Sequence, residues 1–157
     1  MTNNIFAYSL QWQLQLSRPE SHRSFTFSNN IVYWSPGALF GGLFDRANVL
    51  MEKNLYWNAS GRAISFTPVS LEWQGKDVEA MTAALANAPK TDLARWQAKG
   101  RDAGSVVADP MFEDAARYDF RLKSASPAKR IGFVPFDYAR AGVYGDAAWI
   151  KEAAGRR

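Results

Sequence analysis

Two carboxyl side chains occupy matching places in a sequence repeat and could do acid–base chemistry. Glu20 lies 15 residues after Ile5, and Asp45 lies 14 residues after Ile31. Because both follow similar segments, we expect their loops to be neighbours. Hydrolysis of a glycosidic bond needs two carboxyl groups, roughly 5–5.5 Å apart for retention or 6.5–9.5 Å for inversion. Glu20 and Asp45 are therefore candidate catalytic residues, unless both lie on solvated loop tips with ordinary ion pairs.

Basic side chains in the same two loops are candidates for binding a substrate beside this pair. They are Arg18, His22, Arg23 and Arg46. Guanidinium and imidazole groups can donate hydrogen bonds to the oxygen atoms of a ligand. The order of the residues does not decide whether the outcome of any hydrolysis would be retention or inversion.

Trp34 and Trp57 are candidates for stacking on sugar rings. Each follows a tyrosine, Tyr33 or Tyr56. Successive side chains of a strand point to opposite faces, so only one residue of each pair can face outward. An outward aromatic column would suit a saccharide, and packing against residues 69–101 is the alternative.

The elements that must position these residues form a repeat. An asparagine or lysine, then asparagine, then a short apolar run occurs three times, at spacings of 26 and 24 residues. The copies are Asn3-Asn4-Ile5-Phe6-Ala7-Tyr8, Asn29-Asn30-Ile31-Val32-Tyr33-Trp34 and Lys53-Asn54-Leu55-Tyr56-Trp57-Asn58. Such a period is typical of a stacked solenoid.

The repeat predicts a register as well as a fold. Ile31 should lie beside Leu55 at the inter-strand spacing of about 4.8 Å. Asn4, Asn30 and Asn54 should form a ladder of side-chain amides, each donating to one neighbour and accepting from the other. Three short strands per period predict one turn of a parallel β-helix. The alternative is an antiparallel sandwich whose strands contain asparagine by chance.

The chain length of 157 residues indicates one domain, residues 1–157. We expect β-helix coils over 3–66, a helical insertion over 67–104 and a C-terminal capping region over 105–157. The insertion should hold one helix near 77–87 and a shorter one over 92–99, capped by Thr91 and ended by Gly100.

Composition narrows the classes of function. The net charge is +4, but the basic residues are scattered, which argues against a nucleic-acid binder. There is no cysteine and one histidine, so thiolate and histidine-cluster metal sites are excluded, and no cofactor is expected. The sequence shows no signal peptide and no run long enough to span a membrane.

The C-terminal third carries a family resemblance. The segments Ser105-Val106-Val107-Ala108-Asp109-Pro110-Met111-Phe112, Asp119-Phe120-Arg121-Leu122, Ser126-Pro127-Ala128 and Gly132-Phe133 resemble the end of right-handed parallel β-helix proteins. These are the pectate-lyase-like solenoids, and the likeness is greatest to bacterial β-helix glycoside hydrolases. The resemblance implies a mainly β fold: a short right-handed parallel β-helix of about two to three coils, with a helical insertion and an irregular C-terminal cap.

The resemblance also implies a function. Such proteins act on polysaccharides and are secreted or periplasmic in bacteria, although the localisation of this chain itself stays open. Family members have more coils, so we expect this chain to be the terminal part of a longer protein. It would contact a polysaccharide or oligosaccharide without a complete active site, and if it is catalytic it is a glycoside hydrolase.

The alternative function is a non-catalytic structural or oligomerisation module that caps a solenoid. The strand at residues 3–8 has no preceding partner in the sequence. Open strand edges favour pairing with another chain. We therefore expect a homo-oligomer formed through the open N-terminal end.

Overall fold

The computed structural model describes residues 1–67, 90–138 and 145–154, and within these ranges the protein is mainly β. The strands are β1 (Ile5–Ala7), β2 (Trp12–Leu16), β3 (Phe25–Ser28), β4 (Ile31–Trp34), β5 (Ala38–Gly42), β6 (Val49–Glu52), β7 (Leu55–Asn58), β8 (Val106–Val107), β9 (Phe112–Asp114) and β10 (Asp119–Leu122). The helices are α1 (Leu93–Ala98) and α2 (Ala147–Ala154), with short 3-10 segments at Phe44–Arg46, Ala115–Arg117 and Pro127–Ile131.

The largest sheet has four parallel strands in the order β1-β4-β7-β8. Ile5 pairs with Ile31, Ile31 with Leu55, and Leu55 with Val106. The predicted neighbourhood of Ile31 and Leu55 is therefore confirmed. The parallel pairs β2–β5 and β3–β6 and the antiparallel pair β9–β10 form three smaller sheets.

A left-handed backbone residue precedes each strand of the large sheet. Its φ is +57° at Asn3, +54° at Asn29 and +52° at Lys53, and Gly104 has +72° at the fourth equivalent place. Asparagine and glycine adopt this conformation more readily than other residues. The bend turns the following residue into the sheet, so the Asn-Asn pairs divide into a bend residue and a ladder residue.

The two faces of the large sheet pack against different clusters. An inner cluster includes Val32, Trp34 and Tyr56 and lies between this sheet and the β2–β5 and β3–β6 pairs. An outer cluster joins Ile31 and Leu55 to the C-terminal segment. Its other buried members are Phe112, Ala128, Ile131 and Phe133. Alternation along the strands thus separates the tyrosine–tryptophan neighbours as expected.

The bend asparagines hold the C-terminal segment against the outer face. The Asn3 side chain donates to the Val134 carbonyl at 2.8 Å and accepts from the Val134 amide at 2.7 Å. The side-chain amide of Asn29 donates to the carbonyl of Ile131. The backbone of the C-terminal segment is thereby hydrogen-bonded to two of the three repeats that form the sheet.

The predicted β-helix is wrong. The strands form small separate sheets, mostly parallel pairs, rather than a solenoid. Residues 61–67, which were expected to continue the third coil, form no strand, and in the described part of the chain the pairing beyond β6 is an isolated bridge between Glu52 and Ala103. Phe66 is nevertheless fully buried. The Phe66 ring packs in the inner cluster, and its burial does not require a paired strand.

Two further expectations need correction. The C-terminal cap is not wholly irregular, because residues Ala147–Ala154 form helix α2. The short helix is capped by Asp92 rather than Thr91, since its carboxylate accepts from the Arg95 amide at 2.8 Å. The helix expected near residues 77–87 lies outside the described residues. None of the helices in the described ranges has the length and apolar character needed to cross a membrane.

Candidate functional site

The loops that carry the predicted catalytic residues are neighbours. The Asn48 side-chain amide donates to the Ser21 carbonyl at 3.2 Å, and the Ser24 amide donates to the Asn48 carbonyl at 2.8 Å. These contacts extend the β3–β6 pairing into the loops before each strand. The repeat therefore predicted the proximity of these loops correctly.

The predicted carboxyl pair itself is described only in part. Glu20 accepts a 2.6 Å bond from the Arg18 guanidinium, and both side chains lie at the surface. Exposed ion pairs of this kind contribute about 0–1 kcal/mol to stability. Asp45 lies in the 3-10 segment Phe44–Arg46, and its side chain is outside the described residues. Its pairing with Glu20 therefore stays a prediction, and His22 is exposed in the same loop as Glu20.

A groove of about 450 Å³ opens beside these loops, and we call it the arginine groove. Three arginines and one asparagine provide its polar lining: Arg23, Arg46, Arg101 and Asn48. The remainder of its wall comes from Ala47, Val49, Leu50 and Gly100. Among the described lining residues the charged side chains are the three arginines, and none is an aspartate or glutamate.

Separate elements position the three guanidinium groups. Arg23 precedes β3, and Arg46 ends the 3-10 segment before β6. Arg101 follows Gly100, which has a φ of +75° and ends α1. The Arg101 guanidinium carbon lies 5.7 Å from the centre of the Trp96 ring, a distance suited to a cation–π contact. The Arg101 guanidinium therefore lies over the ring of the buried Trp96.

The two candidate tryptophans lie away from this groove. Trp34 is 1% exposed in the inner cluster, so its ring has no face open to solvent. Trp57 is half-buried and packs against the outer cluster. The C-terminal members of that outer cluster lie between residues 106 and 133. Of the segment 69–101 named in the alternative, Trp96 lies with Trp34 in the inner cluster, and residues 69–89 are outside the described residues. The structure therefore brings Arg46, but neither tryptophan, to the arginine groove.

The predicted asparagine ladder is confirmed. The backbone amide and side-chain amide of Asn4 donate to Asn30 Oδ1 at 2.9 and 3.0 Å. The same two groups of Asn30 donate to Asn54 Oδ1 at 3.0 and 3.2 Å. The side chains of Asn30 and Asn54 therefore each satisfy a backbone amide as well as a neighbouring side chain, which is why these two polar residues are tolerated in buried positions.

The ladder ends on a buried carboxyl that sequence inspection missed. Asp102 is 1% exposed, and its Oδ1 accepts from Asn54 Nδ2 at 3.1 Å and from Ser105 Oγ at 2.5 Å. Tyr56 donates its hydroxyl to Oδ2 at 2.7 Å. All three donors are neutral, so the carboxyl is hydrogen-bonded without a described cationic partner.

Burial dominates the ionisation of this group. It raises the pKa of Asp102, although the hydrogen bonds from Ser105, Tyr56 and Asn54 act in the opposite direction. Burial, followed by the nearby Asp102 charge, also raises the pKa of Tyr56 well above its usual value. Neither side chain reaches solvent or the groove. Their chemistry is that of an internal structural network.

A second surface cavity, of about 620 Å³, lies beside Asp119 and Tyr138. The Asp119 carboxylate already has two partners. Arg121 contacts it at 2.5 Å, and the Tyr138 hydroxyl donates to it at 3.0 Å. Hydrogen bonding to Arg121 holds the pKa of Asp119 well below its usual range. Asp119 and Arg121 therefore neutralise each other at the edge of this cavity.

Two groove residues, Asn48 and Arg101, were not predicted. Asn48 follows the Asp45–Arg46 pair closely and could have been found from that position. Arg101 comes from the segment after α1, more than 50 residues beyond Arg46. No repeat or motif connects the two, so only the folded structure brings them together. Among the described residues no group of metal-ligating side chains occurs.

Comparisons with protein families, with curated proteins and with solved structures found no match. The resemblance to pectate-lyase-like proteins therefore rests on the sequence segments alone.

Proposed function

We propose that this protein binds an acidic saccharide in the arginine groove without hydrolysing it. The observation that carries the proposal is the convergence of Arg23, Arg46 and Arg101 on one groove. Guanidinium groups bind carboxylates and sulfates through paired hydrogen bonds, and such charge-assisted bonds are roughly twice as strong as neutral ones. The saccharide class comes from the resemblance to pectate-lyase-like proteins, which implies contact with a polysaccharide.

The remaining features of the groove are compatible with a sugar chain. Its volume falls within the range of about 300–1,000 Å³ that is usual for ligand sites. The Asn48 side chain supplies an amide that can bond to hydroxyl groups. The exposed Arg18 and His22 lie in the adjoining loop, where they would meet sugar residues that extend beyond the groove.

The composition of the groove favours binding over turnover. Hydrolysis needs an acid and a second carboxyl group near the scissile bond. The described lining contains neither, and Glu20 is engaged by Arg18. We therefore assign the groove to recognition, with catalysis by Glu20 and Asp45 as a separate hypothesis that their alanine variants would test.

Isothermal calorimetry with an oligogalacturonate tests this function. The control ligand is the same oligosaccharide with its carboxylates reduced to neutral alcohols. We expect binding of the acidic form only, and a loss of about tenfold or more in affinity for the double variant Arg23→Met/Arg101→Met. The matched control Lys129→Met/Arg130→Met removes the same charge from exposed residues elsewhere. Equal losses of affinity in both double variants would mean that the oligosaccharide is attracted by the net charge of the protein alone, which would refute the proposal.

A second candidate function is assembly through the N-terminal end, with a second copy as the partner. It is favoured by β1, which among the described strands is paired on one side only. Size-exclusion chromatography with light scattering tests it. A dimer or larger species is expected, and a chain that stays monomeric at high micromolar concentration would contradict it.

A further inference from the structure

We infer that the open edge of β1 accepts a parallel strand carrying an asparagine that extends the Asn4–Asn30–Asn54 ladder. This inference rests on the second candidate function in that both use the open end at β1, but it assigns that edge to a peptide segment rather than to a second folded copy. The partner is an extended polypeptide segment in which asparagine precedes an apolar residue. It would lie beside β1 as β1 lies beside β4.

The ladder follows one rule at each step. The backbone and side-chain amides of one asparagine both donate to the Oδ1 atom of the next, with all four distances between 2.9 and 3.2 Å. Asn30 Oδ1 is filled by Asn4, and Asn54 Oδ1 is filled by Asn30. Within the described residues, Asn4 Oδ1 receives no such pair. Its two side-chain hydrogens are already used, on Asn30 Oδ1 and on the Thr2 carbonyl at 2.9 Å. Asn4 can therefore only accept.

The backbone of β1 presents matching groups. The Ile31 amide donates to the Asn4 carbonyl at 2.9 Å, and the Tyr8 amide donates to the Tyr33 carbonyl at 3.0 Å. In a parallel ladder the residues that face a given neighbour alternate. Phe6 therefore faces β4, and Ile5 and Ala7 direct their amides and carbonyls to the open side. Two donors and two acceptors line that edge.

The side chains of β1 are also less buried than those in the middle of the sheet. Ile31 and Val32, in the middle of the sheet, are fully buried. Their counterparts in β1, Ile5 and Phe6, are only half-buried. An added strand with an apolar residue after its asparagine would cover Ile5 as Ile5 covers Ile31. Because Ile5 is left half-buried, the proposed motif has an apolar residue after its asparagine.

The opposite end of the ladder is closed, so the open end is not a general property of the sheet. The Asn54 amide donates to Ser105 Oγ at 2.7 Å, and Asn54 Nδ2 donates to Asp102. Gln97 then donates to the carbonyls of Asp102 and Ser105, each at 3.0 Å. A second copy cannot continue the ladder from that end without displacing Gln97. The asparagine that extends the ladder at Asn4 must therefore belong to the added strand.

A peptide with the sequence of residues 28–35, which contains the ladder strand of the second repeat, tests the inference. It is added to ¹⁵N-labelled protein at low micromolar protein concentration, and hydrogen exchange of the Ile5 and Ala7 amides is measured. We expect both to slow on binding, and the Asn30→Ala peptide to bind about tenfold more weakly or worse. A nitroxide at the peptide C-terminus should broaden signals near Tyr8 if the added strand is parallel. The protein has no cysteine that could take up the label.

The outcomes separate this inference from the assembly function. Equal binding of both peptides, or broadening near Asn4 from the C-terminal label, would overturn the ladder-extending parallel strand while leaving assembly in place. Self-association of the chain with no effect of millimolar peptide on Ile5 and Ala7 would also overturn it. A monomeric chain that binds no peptide would refute both.

Discussion

The hydroxyl of Tyr56 donates a 2.7 Å hydrogen bond to Oδ2 of Asp102, and both side chains are buried. Tyr56 belongs to the third repeat strand, whereas Asp102 follows α1, so the bond joins segments 46 residues apart. It connects the asparagine ladder to the segment that supplies Arg101.

Replacing Tyr56 with phenylalanine should destabilise the protein. The variant leaves Asp102 Oδ2 buried without its donor, and an unsatisfied buried group costs about 1–3 kcal/mol. Urea unfolding followed by circular dichroism would measure the change in free energy of unfolding. Tyr118→Phe is the control, because that hydroxyl belongs to an exposed ring and should matter little. Similar small effects in both variants would show that the bond to Asp102 contributes nothing.

The raised pKa of Asp102 predicts a direction for the pH dependence of stability. A carboxyl whose pKa is higher in the folded state binds its proton more tightly there, so its stabilising contribution is fully present below the unfolded pKa of about 3.9 and falls as pH rises through the folded value. Asp102→Asn removes this titration. The free energy of unfolding of the wild type, relative to the variant, should therefore decrease as pH rises from about 4. A difference that stays constant with pH would contradict the raised pKa.

The middle of the asparagine ladder should be more sensitive than its open end. Asn30→Ala removes the acceptor of the Asn4 backbone amide and a donor to Asn54, inside a fully buried site. We expect a loss of about 2 kcal/mol in the free energy of unfolding. Asn4→Ala is the matched control at the half-buried end and should cost about half as much or less. The reverse order would mean that burial does not set the strength of the ladder.

Gly41 allows the side chain of Trp12 to lie across β5. A Cβ at Gly41 would overlap the Trp12 ring, and the backbone conformation itself is one that alanine accepts. Overpacking of this kind costs about 1–3 kcal/mol, so Gly41→Ala should destabilise and shift the tryptophan fluorescence. In a Trp12→Ala background the same substitution should cost much less. Equal costs in the two backgrounds would exclude the ring contact as the cause.

The repeat predicted local pairing well because its signal is local. Each asparagine is held by the strand directly beside it, so a spacing of 24 or 26 residues was enough to give the register of Ile31 and Leu55. The same reasoning failed at Ile64 and Phe66. Apolar residues at the expected spacing can be buried by packing alone, and the sequence does not reveal whether a paired strand forms.

The groove was predictable only on the side formed by the repeat. Arg46 was a candidate because its loop aligns with the Glu20 loop. Arg101 depends on the turn at Gly100 and on the position of Trp96, which are set by long-range packing. The burial of Asp102 was hidden for the same reason, since an aspartate two residues before a glycine resembles an ordinary loop.

The arginine side chains themselves provide the most direct test of the proposed function. Nitrogen–proton correlation spectra of the arginine Nε–Hε groups would be recorded while an oligogalacturonate is added. Acidic-saccharide binding predicts saturable shifts for Arg23, Arg46 and Arg101, together with the Asn48 side-chain amide, and none for Arg130. Saturable binding that moves other surface signals and leaves these three arginines unchanged would contradict it.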